Sequence, residues 1–240
     1  MSTPSTADRV WRRGADTGRR VLAREVETVA SIRAADEEAF AELFARVCAA
    51  GTDDKWWFGR AYEFVGGLAL LQNPEELTAL CLLLSRIARR GTYLEIGSAG
   101  GGTCRFLHQE VGFGRVLSMD DGRHPRAGEQ AENFAAIGGV EQFVGDSHAP
   151  EAAAWLAERV PDRDIDIALV DGDHSFAGVR RDVRMVLPFC RPGALLILHD
   201  TRMCRGVEAT WLGLCARRRA TPVAELVGAE RPMGIGVARV

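Results

Sequence analysis

The feature that most constrains this chain is a change of period at Thr92. From that point short β-type runs alternate with helical patterns to the end of the sequence. Candidate strands cover 92–96, 115–119, 141–144, 165–170 and 194–198, with helical segments near 102–111, 126–137, 150–159, 176–187 and 203–218. Strands and helices in strict alternation predict an α/β fold with a mostly parallel, doubly wound sheet. Two β runs at 222–227 and 234–240 follow each other without a helix, which predicts an antiparallel C-terminal edge. The region before Thr92 reads differently. Residues 1–20 are polar and lack apolar periodicity, as a mobile tail does. Residues 21–49 carry a helical pattern stopped at Gly51-Thr52, a second apolar stretch covers 56–72, and Asn73-Pro74-Glu75-Glu76 caps a helix running through Ile87. The first 90 residues thus predict three helices and no strand. The expected organisation is a tail (1–20), a helical extension or lid (21–73) and the doubly wound domain (74–240).

In such a sheet, ligands bind beyond the carboxyl ends of the strands, and a glycine-rich turn lets a ligand approach the backbone. The first strand ends in YLEIGSAGGGTCRFL. The dinucleotide fingerprint G-x-G-x-x-G fails here, because Ala99 follows Gly97 at the required spacing and, starting from Gly100, Arg105 stands where the last glycine belongs. That disfavours a hydride-transferring dehydrogenase. The spacing that fits is acidic-x-Gly-x-x-x-Gly, from Glu95, Gly97 and Gly101, with Ser98 and Thr103 in the same stretch.

This spacing resembles motif I of the class I S-adenosylmethionine-dependent methyltransferases, which have a Rossmann-like sheet. The resemblance implies that the loop wraps the zwitterionic methionine end of S-adenosylmethionine, with Glu95, Gly97, Ser98, Gly101 and Thr103 on the cofactor. The second strand ends in VLSMD, putting Asp120 where the family has the acid that binds both ribose hydroxyls. FVGDS at the third puts Asp146 and Ser147 where the family contacts adenine. Any one of these acids alone reads better as a helix cap or a solvated turn. Three at successive strand ends behind a glycine loop read as a binding site.

IDIALVDGDHSF, LLILHDT and the closing GIGVARV look like small-molecule O-methyltransferases of the macrolide-sugar and catechol types, over roughly residues 74–240. Phe176 stands where tyrosine is usual. Asp171 and Asp200 end the fourth and fifth strands, so both carboxylates point into the mouth of the sheet, where a pair of acids can hold Mg²⁺. Metal-dependent relatives place an acid after strand four and an adjacent pair after strand five, which here implies Asp171, His199 and Asp200 as ligands. A histidine in that set shifts preference from Mg²⁺ toward a transition ion. The relatives' base lies three residues after the strand-four acid, and here that is His174. An imidazole with a pKa of ~6.5 can take a hydroxyl proton at neutral pH, helped by a carboxylate such as Asp173. The bland alternative is that His174 caps the next helix or only bonds its loop, and His199 is open between ligand, second base and structural residue. His108, His124 and His148 read as structural or cofactor-adjacent.

The implied function is methyl transfer from S-adenosylmethionine to a hydroxyl of a small molecule, a glycoside or secondary metabolite. A metal-free O- or N-methyltransferase and a non-catalytic S-adenosylmethionine-binding partner subunit stay open as alternatives. Composition narrows the field further. Lys55 is the one lysine among 30 basic residues and sits in TDDKWWF, which excludes a P-loop and a Schiff-base lysine. A formal net charge of −3 argues against a nucleic-acid surface, so the arginines at 180–184 and 217–219 read as solvated helix faces. No apolar run reaches the roughly 18 residues that span a bilayer, and the N-terminus has no signal-type apolar core, so a cytoplasmic protein with no membrane contact is expected. The six cysteines form no C-x-x-C pair and read as reduced core residues. Trp56, Trp57, Phe58, Tyr62 and Phe64 read either as a lid over the substrate or as packing for the helical extension, whose surface could also serve a homodimer.

Overall fold

The computed structural model describes residues 15–22, 26–51, 67–68, 70–216 and 220–240. A seven-stranded sheet runs through it in the order β3-β2-β1-β4-β5-β7-β6. The strands are β1 (Thr92–Ile96), β2 (Arg115–Asp120), β3 (Glu141–Val144), β4 (Ile165–Val170), β5 (Cys190–His199), β6 (Thr221–Leu226) and β7 (Ile235–Arg239). β1 to β5 are mutually parallel, and β7 lies antiparallel between β5 and β6. This is the doubly wound sheet with an antiparallel C-terminal edge that the alternation predicts.

The period of two along the strands sorts side chains onto two faces. Tyr93, Ile167, Leu169, Leu195 and Ile197 point into one core with helices α1 (Val29–Ala35), α2 (Glu37–Ala49) and α3 (Pro74–Ile87). Leu94, Ile96, Ala168, Val170, Leu196 and Leu198 point into the other, packed by Leu156, Val183 and Trp211. Each such leucine, fully buried, stabilises the fold by about 1.5–3 kcal/mol. The remaining helices are α4 (Gly102–Val111), α5 (Gln130–Ala135), α6 (Pro150–Arg159), α7 (Phe176–Val186) and α8 (Arg205–Ala216).

Several expectations need correction. Residues 15–22, placed in or beside the tail, are helical, and Ala15 and Leu22 are buried in the second core. The helical run expected over 21–49 is two helices, because the Asp36 side chain accepts the Ala39 N–H at 3.0 Å and caps a new start. The N-terminal region also supplies a strand contact. Glu27 bridges in parallel to Ala224, with Glu27 N–H donating to Val223 O and Glu225 N–H to Glu27 O, both at 2.9 Å. The helix expected at 126–137 is a 3₁₀ turn over Ala127–Glu129 followed by the short α5. β5 begins at Cys190, not 194, because its pairing with β4 jumps from Cys190 to Leu195 around Pro192 and Gly193. The aromatic cluster at 56–64 lies outside the described residues.

Candidate active site

Beyond the carboxyl ends of β1, β2, β4 and β5 lies a cavity of about 790 Å³. Of the residues singled out in the sequence, Gly97, Asp120, Asp146, Ser147, Asp171, His174, His199 and Asp200 line it. Glu95, Ser98, Gly101 and Thr103 do not. They build the wall from behind.

The loop after β1 shows how. Gly97 adopts φ +88°, and a Cβ there would collide with the Asp171 carbonyl oxygen, so only glycine lets the β1 and β4 ends approach this closely. Ala99 N–H donates to Asp120 Oδ2 at 2.8 Å, and Asp120 Oδ1 accepts Gly122 N–H at 2.8 Å. Asn133 on α5 donates to Gly100 O at 2.7 Å and fixes the other side of the turn. Ser98 shares a 2.6 Å hydrogen bond with Ser118, and Thr103 Oγ1 donates to Leu70 O at 2.7 Å. Glu95 is buried and accepts the Tyr93 hydroxyl at 2.6 Å. Burial pushes its pKa up to about 8.

At the next strand end, Asp146 Oδ1 accepts His148 N–H at 2.8 Å, and Ser147 Oγ donates to Asp182 Oδ1 at 2.7 Å. Asp182, fully buried on α7, thereby ties the β3 end to the β4 end, with His148 Nε2 3.2 Å from the same oxygen.

The acids and histidines of the β4 and β5 ends form one network. Asp171 Oδ1 lies 2.9 Å from His199 Nδ1 and 3.2 Å from His174 Nε2, and Asp171 Oδ2 accepts Gln72 Nε2–H at 3.2 Å. The other ring nitrogen of His174, Nδ1, is 3.3 Å from Asp200 Oδ2. His199 Nδ1 lies 3.5 Å from Asp200 Oδ1. Burial opposes the charge on Asp171, but His199 and His174 hold its carboxyl well below the ordinary carboxylate range. Burial pushes the Asp200 carboxyl up. His199 is buried too, yet Asp171, Asp200 and Glu76 raise its pKa to about 9. The hydrogen bond to Asp171 raises that of His174.

Ser175 removes one reading of His174, that of a helix cap. Its hydroxyl accepts Gly178 N–H at 3.0 Å and caps α7, so His174 is not the cap. The carboxylates beside the ring are Asp171 and Asp200, whereas Asp173 is taken up by Ser175 N–H at 2.8 Å. Sequence reading missed Gln72, which reaches Asp171 from outside the strand-end motifs, and the lining residues Leu71, Met203 and Met233. It also placed Cys204 in the core. The thiol is half-buried, lines the cavity and faces Asp200 Oδ2 at 3.7 Å.

Strand order, glycine turn and strand-end acids together define a Rossmann-like methyltransferase fold. Residues 94–201 match the protein-family model described as "Methyltransferase domain". The match takes in every strand-end residue of the cavity named above. Solved structures agree in fold. An O-methyltransferase from Bacillus cereus in complex with S-adenosylhomocysteine is 16% identical over 96% of this chain and 99% of its own, with a TM-score of 0.53. TomG from Streptomyces achromogenes, an O-methyltransferase involved in tomaymycin synthesis and bound to S-adenosylmethionine, is 18% identical over 96% and 98%, with a TM-score of 0.52. CalS11, a TDP-rhamnose 3′-O-methyltransferase of calicheamicin biosynthesis, is 14% identical over 100% and 96%, with a TM-score of 0.53. A sequence comparison with curated proteins finds no match.

Proposed function

We propose that the protein transfers the methyl group of S-adenosylmethionine to a hydroxyl of a small molecule, a glycoside or other secondary metabolite, with His174 as general base. One observation carries the reading. His174 stands at the cavity wall, its side chain 38% exposed, with one ring nitrogen toward Asp171 and the other toward Asp200. With Nε2 hydrogen-bonded to Asp171, Nδ1 is the nitrogen whose lone pair takes the acceptor's proton, and the two carboxylates stabilise the imidazolium that forms. Methyl transfer is an in-line displacement, so aligning donor and acceptor does most of the remaining work. Gly97, Asp120, Asp146 and Ser147 would hold the cofactor at the β1 to β3 ends, leaving the β4 and β5 ends for the acceptor. That TomG and CalS11 are O-methyltransferases supports oxygen as the methyl acceptor.

The donor chemistry at Asp171, His199 and Asp200 fits a divalent cation: their ligand atoms converge within 4.8 Å, and Asp200 Oδ1 is buried without a hydrogen-bond partner. These three residues would hold the ion, which when bound would polarise the acceptor hydroxyl and lower its pKa. A metal-free version is favoured by a specific observation, the His199 imidazole already lying against Asp171 at 2.9 Å. Turnover measured before and after chelation separates the two. A labelled-methyl assay over a panel of hydroxylated metabolites tests the main reading. Transfer to oxygen is the expected outcome, and transfer to nitrogen alone, or to none of the panel, counts against it.

A further inference from the structure

We propose that His174, Asp200 and Cys204 form a second cation site, with a nitrogen, oxygen and sulfur donor set suited to zinc, at the acceptor end of the cavity. The geometry alone carries the site, and only its effect on turnover rests on the base role of His174 proposed above. The chain builds it from one turn and one close approach. Cys204 N–H donates to Asp200 O at 2.9 Å, closing a turn that sets the two side chains together, with Sγ 3.7 Å from Oδ2. A Cβ on Gly206 would collide with the backbone of 174–176, so its absence lets the start of α8 abut the loop that carries His174. His174 Nδ1 then lies 3.3 Å from the same Oδ2, and the three ligand atoms all fall within 4.8 Å of one another.

Tetrahedral zinc, with bonds of about 2.0–2.1 Å to nitrogen and oxygen and about 2.3 Å to sulfur, sets its ligand atoms roughly 3.3–3.6 Å apart. The pairs measured here, 3.3 and 3.7 Å, are already close to that spacing. A zinc-binding imidazole usually donates its other ring N–H to a carboxylate, and His174 Nε2 lies 3.2 Å from Asp171 Oδ1. Three protein ligands leave a fourth position, and because all three residues line the cavity, that position opens into it. This donor set differs from Asp171, His199 and Asp200. It uses the other Asp200 oxygen and a thiolate, which selects zinc over magnesium. On coordination the thiol and the imidazole release their protons to solvent. With its Nδ1 lone pair on zinc and Nε2 toward Asp171, His174 accepts no proton from an acceptor, so zinc inhibits methyl transfer.

Titration of the full chain with Co²⁺ as a zinc probe reads the site without any substrate. The expected result is one equivalent with tetrahedral visible bands and a near-ultraviolet thiolate-to-cobalt band, displaced by Zn²⁺ and untouched by excess Mg²⁺. Cys204→Ser and Cys204→Ala lose the thiolate band and weaken cobalt binding by ~10²-fold, while S-adenosylhomocysteine binding reports that both variants are folded. Cobalt binding without a thiolate band, or a band that survives both substitutions, overturns the site. Turnover is expected to fall as Zn²⁺ fills it, and where His174→Ala shows the residue to be needed for turnover, turnover indifferent to saturating Zn²⁺ overturns coordination by His174. A missing thiolate band leaves the base role of His174 untouched, and full activity in His174→Ala leaves the cobalt result untouched, so the two proposals fail separately.

Discussion

At the scale of single residues, His174 faces two carboxylates, and that sets its pH behaviour. The hydrogen bond to Asp171 raises the imidazole pKa above 6.5. The proposed base works only when deprotonated, so the acid limb of kcat/KM is expected above pH 6.5, the ordinary imidazole value. Asp171→Asn should move that limb down, and a limb unmoved by the substitution would separate the pH profile from His174. His174→Ala is expected to keep S-adenosylmethionine binding and lose turnover by ~10²-fold or more. Unchanged turnover removes the residue from the mechanism. Glu95 gives a stability prediction. Its pKa rises from 4.5 to about 8 on folding, so between those values the folded state holds a proton that the unfolded chain has released. Stability therefore falls as pH rises through this window. Glu95→Gln should flatten the decline in a denaturant-melt series, and an unchanged slope would contradict the burial argument. Asp171, His174 and Asp200 were legible because strand ends of an α/β sheet are where side chains meet ligands. Cys204 and Gln72 were not, since the first depends on the turn at Asp200 and the second on a contact from before α3.

At the scale of elements, the start of α3 holds the loop between β6 and β7. Glu76 is fully buried and accepts Gly228 N–H at 2.9 Å and Gly234 N–H at 2.8 Å. Asn73 caps the helix through Oδ1 and donates Nδ2–H to Glu230 O at 2.8 Å. That loop carries Met233 to the cavity. Glu76→Ala leaves two buried N–H groups unpaired, at about 1–3 kcal/mol each. A fall in Tm of several degrees is expected for a chain of this size, at roughly 2–4 °C per kcal/mol, and an unshifted melt would show that the clamp contributes nothing. Gly97→Ala strains a left-handed turn and drives a methyl into the Asp171 carbonyl. Cofactor binding should be lost with it, which dialysis of the variant against labelled S-adenosylmethionine checks. The strands at 92–96, 141–144 and 165–170 were readable to the residue because each is a short β-type run between turn signals. The break at Asp36 and the early start of β5 were hidden, the one inside an unbroken apolar period and the other in a pairing irregularity.

At the scale of the molecule, strand alternation foretold a parallel sheet, and the closing pair of β runs foretold its antiparallel edge. The strand order follows from pairings that no local pattern encodes. Nor does any encode the bridge from Glu27 to Ala224, which joins the two ends of the chain along the sheet edge. The helices before β1 share one core with the sheet, since Ile32, Phe40 and Leu43 pack in the cluster that holds Tyr93 and Ile197. The single lysine fits the proposed mechanism, in which His174 and not a lysine is the base. The central claim is that the cavity at the strand ends receives S-adenosylmethionine. Equilibrium dialysis of the purified chain against labelled S-adenosylmethionine tests it most directly. The account predicts one equivalent bound per chain and displaced by S-adenosylhomocysteine, and no retained label would contradict it.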